Sequence, residues 1–168
     1  IEAEPLGFST AVDQGQWFEV YNPSTTDLHM GGFEFFTNCN GAGQNGASES
    51  FFIPVDALTV GGEEYAVFCK SSSAAGGNCD YIYGSDQGSS TTLGDAFNAS
   101  VNVMTGGCRL QFFLNNVEID TFKPRDGVAS TNSTAAWPVK VEGVSFSLDP
   151  TLLDATSNDD GGNWCYPA

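Results

Sequence analysis

From Gln16 to Tyr21 the chain reads Q-W-F-E-V-Y and then breaks at Asn22-Pro23-Ser24. Alternation places Phe18 and Val20 on one face, and Trp17 and Tyr21 on the other. The run predicts a strand with apolar groups on both sides, which suits a central position in a sheet. Pro23 cannot continue a ladder, and the Asn22 side chain is expected to turn the chain. Phe33 to Thr37 reads as the next strand, before the loop N-C-N-G-A-G-Q-N-G-A-S-E-S. S-F-F-I-P and A-L-T-V are short extended segments, and Gly61-Gly62 turns the chain into E-E-Y-A-V-F-C. A flexible loop, K-S-S-S-A-A-G-G-N-C, and a long irregular stretch from Tyr81 to Asn98 follow. V-N-V-M leads to Gly106-Gly107. R-L-Q-F-F-L and V-E-I-D-T-F then flank Asn115-Asn116, the pattern of a hairpin, because Asn tolerates the positive φ of a two-residue turn. G-V-S-F-S-L-D is the last clear strand. No helical period is sustained and no repeat recurs. Many short strands at this spacing predict an all-β sandwich with long irregular loops.

Composition strengthens that reading. Among 168 residues there are 20 Gly and 13 Phe, and only 15% are charged, a mix that suits a loop-rich β domain with a real aromatic core. One domain spanning 1–168 is expected. Charge changes the picture more. Twenty-one acids face five Lys and Arg, for a net charge of -16. Such a surface repels nucleic-acid phosphates and anionic membranes, so nucleic-acid binding and membrane insertion are not expected. It tolerates high salt and attracts divalent cations. The apolar runs are far shorter than the ~20 residues a membrane helix needs, and no signal peptide is visible. A chain beginning at Ile1 is expected to be a processed or excised piece of a secreted or cell-surface protein.

The five cysteines at 39, 69, 79, 108 and 165 show no C-x-x-C spacing, and the chain has one His. Zinc and thioredoxin-like chemistry lack support, and disulfides in an oxidising compartment fit better. Cys69 and Cys79 flank a flexible loop that a bond could close. The competing pairing is Cys39–Cys79, which leaves Cys69 as a small buried apolar group. An odd count leaves one thiol free or bonded to another chain.

Candidate chemistry is sparse. A Ser-His-Asp arrangement would need His29, which stands in a short link, and no G-x-S-x-G occurs. No spacing singles out a catalytic carboxylate pair, and G-G-E-E-Y lacks the features of a phosphate loop. The expectation is a chain with no catalytic residues and no resident cofactor. Asp154, Asn158, Asp159 and Asp160 gather in one loop and form a calcium candidate, since hard cations take several oxygens from a flexible loop. The EF-hand order and its closing Glu are missing, so a polar linker competes. Trp137 and Trp164 lie outside clear strands and could stack on sugars, or could plug the ends of the sandwich. Asn98-Ala-Ser and Asn132-Ser-Thr are glycosylation acceptors if the source is a eukaryote.

Four motifs stand in order: Q-W-F-E-V-Y-N-P with the later Gly-centred strand; F-F-I-P before G-G-E-E-Y-A-V-F; L-Q-F-F-L-N-N-V-E-I-D-T-F before A-A-W-P; and G-V-S-F-S-L-D-P before W-C. Together they resemble a lamin tail domain of the extracellular, bacterial-type branch. The resemblance spans nearly the whole chain. The long region from Cys69 to Asn98 departs from the family pattern, and the expected first strand survives only as I-E-A-E-P. The resemblance implies an immunoglobulin-like β-sandwich. It also implies a Cys108–Cys165 bond, because in that family a Cys before the I-D strand accompanies the W-C. Cys39 would then be left for a free or intermolecular role. The implied function is a non-catalytic extracellular interaction domain whose partners are other protein domains or copies of itself. The alternatives are a subunit of an extracellular filament or sheath, and a carbohydrate-binding module with glycan partners.

Overall fold

The computed structural model describes residues 17–38, 48–83, 109–122, 147–154 and 156–166. Cys39, Cys108, Asn98, Asn132, Trp137, the I-E-A-E-P segment and V-N-V-M lie outside the described residues.

The described chain is strand-rich, with only short 3-10 turns between strands. Eleven strands occur in order among the described residues: β1 Trp17–Tyr21, β2 Leu28–His29, β3 Phe33–Asn38, β4 Ser48–Phe52, β5 Thr59–Val60, β6 Tyr65–Cys69, β7 Tyr81–Ile82, β8 Arg109–Leu114, β9 Val117–Phe122, β10 Ser147–Leu148 and β11 Trp164–Cys165. They form a four-stranded sheet ordered β4-β3-β8-β9, a three-stranded sheet ordered β1-β6-β7, and two short ladders, β2-β5 and β10-β11. Most pairs are antiparallel, and β7 runs parallel to β6. β8 and β9 are the expected hairpin. Asn115 and Asn116 take φ of 52° and 62°, the left-handed values that a tight turn imposes.

The two larger sheets share one apolar cluster. Phe18, Ala66 and Phe68 enter it from β1 and β6, and Phe33, Phe35, Phe51, Leu110 and Phe122 enter it from the four-stranded sheet. Phe35 is the hub. Its ring centroid lies 5.1 Å from Phe18, 5.0 Å from Phe51, 4.9 Å from Phe68 and 4.6 Å from Phe112. Phe18 stacks on Phe68 directly across the β1–β6 ladder, with planes 8° apart. Such pairs contribute beyond the area they bury. Tyr83 closes the cluster under Phe51 at 5.0 Å, and the buried Lys70 places its Nζ 5.9 Å from the Tyr83 ring centre.

Two features add to the sequence reading. Among the described residues β6 lies between β1 and β7 in its sheet. Among the described residues β1 pairs with β6 alone. The apolar groups on its second face are half-buried aromatics, Trp17 and Tyr21, with exposed Glu19 between them. The four-stranded sheet packs against the Phe18 side of this strand. The flexible loop after Cys69 also contains a short 3-10 turn, Ala74–Gly77.

Candidate functional site

Asn22 follows β1 where the chain must turn. Its Oδ1 accepts from the Ser24 N–H at 3.1 Å and from the Ser24 hydroxyl at 2.9 Å, which closes the turn locally. Its Nδ2 faces three carbonyls: Thr26 at 2.8 Å, Gly61 at 3.0 Å and Val60 at 3.2 Å. The buried amide therefore ties the Asn-Pro turn to the end of β5. Gly62 sits against the same turn, where a Cβ would stand 2.4 Å from the Thr25 carbonyl carbon. Asn22 is a structural tie.

The calcium candidates lie in the loop between β10 and β11. Asp154 spends both oxygens on that loop. Oδ1 accepts from the Thr156 and Ser157 N–H groups at 2.9 Å each, and Oδ2 accepts from the Ser157 hydroxyl at 2.6 Å. The Ser157 hydroxyl, then the two N–H groups, hold the Asp154 carboxyl below its ordinary pKa. Asp149 is lowered in the same way by the Thr151 hydroxyl and N–H. Asp160 accepts from the Gly162 N–H at 2.9 Å. Asn158 turns away from this group, and its Nδ2 donates to Asp120 Oδ2 on β9 at 2.6 Å. The Asp159 side chain lies outside the described residues. Among the described residues no three His, Cys, Asp or Glu side chains gather as a metal centre would require. The loop has the form of a self-capped linker pinned to β9.

Trp164 belongs to that pinning. Its ring packs on Phe122 at 4.8 Å, and its Nε1 donates to the Asn158 carbonyl at 3.0 Å. A half-buried ring held this way is not the exposed platform that sugar stacking needs. His29 stands in β2, exposed, with Nδ1 3.0 Å from the Thr59 hydroxyl.

Cys69 and Cys79 are joined, with Cα atoms 5.8 Å apart. This bond excludes the competing Cys39–Cys79 pairing. Cys165 requires a correction. Its thiol is free and exposed, so the Cys108–Cys165 bond implied by the family resemblance is not formed. Alternation along β11 supplies the reason: Trp164 turns inward onto Phe122, so Cys165 points outward.

One surface feature was not singled out in the sequence. On the outer face of the β1–β6 ladder Tyr21 stands directly opposite Tyr65, and Glu19 stands opposite Val67. The tyrosine rings meet at 4.7 Å with planes 39° apart. Tyr65 remains 47% exposed, far from the buried state of Phe68 three residues on. Partial burial, then the neighbouring Tyr21 and Glu19, raise the Tyr65 phenol above its ordinary pKa. The signal lay in the parity of W-F-E-V-Y and Y-A-V-F-C, which sets two tyrosines and one Glu on a single side.

Comparison with known proteins gives no match to a family model and none to a curated protein.

Proposed function

We propose that this chain is a non-catalytic interaction domain of an extracellular protein, built as an immunoglobulin-like β-sandwich of the lamin-tail type. One observation carries the reading: Asn22, expected to turn the chain, and Asp154, Asn158 and Trp164, the calcium and sugar-stacking candidates, are engaged in holding the scaffold. Asn22 ties two segments, Asp154 caps a turn, and Asn158 and Trp164 anchor the last loop to β9 and Phe122. The motif order supports it further, because the described motifs coincide with β1, with β4 to β6, with the β8–β9 hairpin and with β10 and β11. The Cys69–Cys79 bond suits an oxidising compartment. Among the described residues no helix is long and apolar enough to cross a membrane.

The test is an activity screen of the purified chain against ester, glycoside, phosphate and peptide substrates. No turnover above background is expected. Reproducible turnover abolished by a single change such as His29→Ala overturns the reading. A second reading, a subunit of an extracellular filament or sheath, draws on one observation, the exposed Cys165 thiol, which could bond another chain.

A further inference from the structure

We infer that the outer face of the β1–β6 ladder, at Glu19, Tyr21 and Tyr65, receives the cationic side chains of a basic segment of a partner protein. This deepens the interaction reading above and rests on it. The geometry comes from the strand parity. Phe18 and Ala66 point into the core, so Glu19, Tyr21 and Tyr65 point out. Tyr21 and Tyr65 support one another across the ladder at 4.7 Å, which holds both rings in place before any ligand arrives. Val67 forms a half-buried apolar floor beside them, and Glu19 stands on the same face.

Aromatic faces carry a negative quadrupole, and a neighbouring carboxylate adds a full negative charge. Both attract a guanidinium or an ammonium, and the rings also stack on the guanidinium plane. Glu63 and Glu64, exposed where the chain enters β6, extend the negative field. At a net charge of -16, the whole molecule steers basic partners toward itself and repels acidic ones. A neutral sugar would use the rings but would gain nothing from that field, so the charge selects a cation.

The experiment is a titration of the full chain with a short peptide of alternating arginine and serine, followed by NMR of the tyrosine rings. A glutamate-for-arginine peptide and cellohexaose form the other arms. The arginine peptide is expected to shift the Tyr21 and Tyr65 signals, with affinity that falls as salt rises. Tyr65→Ala and Glu19→Gln are each expected to weaken it about two- to fivefold, the scale of an exposed cation–aromatic contact. Glu19→Gln changes an exposed side chain and keeps the test valid if Tyr65→Ala fails to fold. Peptide binding that shifts other surfaces and ignores both substitutions overturns the placement and leaves the interaction reading intact. Absence of arginine-peptide binding overturns the inference, as does cellohexaose binding at the same rings unaffected by Glu19→Gln. Failure of the interaction reading itself would show separately, as turnover in the activity screen.

Discussion

At the residue scale, Asn22 shows how a local signal conceals a long-range role. The Asn-Pro-Ser sequence declares a turn, and the Ser24 contacts supply it. The contacts to Val60 and Gly61 could not be read from the sequence, because nothing in it places residues 60 and 61 beside residue 22. They make a strong claim testable. Asn22→Asp keeps the shape but turns an N–H donor into a charged acceptor facing three carbonyls. The expected cost is about 3–5 kcal/mol, as for an unpaired buried charge, and more than Asn22→Ala. Urea denaturation of both variants measures it. Asp154 gives a pH prediction of definite sign. Its folded pKa lies below the unfolded value, so its contribution is complete above the ordinary carboxylate pKa and is lost as pH falls through the lower, folded value. The Thr156 and Ser157 amides are therefore expected to keep hydrogen-exchange protection through the ordinary carboxylate range and to lose it only at lower pH. Asp154→Asn, which can still accept through its amide oxygen, should remove that pH dependence.

At the element scale, strands were more legible than their neighbours. The β8–β9 hairpin follows from two alternating runs around Asn115-Asn116, and local turn chemistry fixes it. Its bulge, which shifts the register between Phe112 and Phe113, left no mark in the sequence. β1 was legible as a strand, but its pairing with β6 was not, since which strand pairs with it depends on chain far along the sequence. The calcium candidates were legible as a cluster of acids. The use of Asp154 and Asp160 as caps was not, because it depends on the turns at Thr156–Ser157 and Gly162. The Cys69–Cys79 bond closes a loop between residues ten apart. It restrains the loop that precedes β7, which brings Tyr83 into the core. Cys79→Ser is expected to lower stability by about 2–3 kcal/mol on the chain-entropy scale for a loop of this length. Thermal unfolding of the variant, beside the parent with and without reductant, checks it. An unchanged midpoint would show that the loop contributes nothing to the fold.

At the scale of the whole molecule, thirteen phenylalanines announce an aromatic core, but the sequence does not say which one sits at its centre. The structure places Phe35 there, in contact with rings from both sheets. The sheets are thus joined through one cluster, and the acidic surface is left to govern encounters with other molecules. That division, a scaffold inside and recognition outside, is the central claim, and it implies a discrete module rather than a polymer. Sedimentation velocity of the purified chain, with and without reductant and over a wide concentration range, tests it most directly. A single species of 17.7 kDa under every condition is the expected result. Species that grow with concentration, or covalent assemblies through Cys165 that dissolve on reduction, would contradict it and favour the filament subunit.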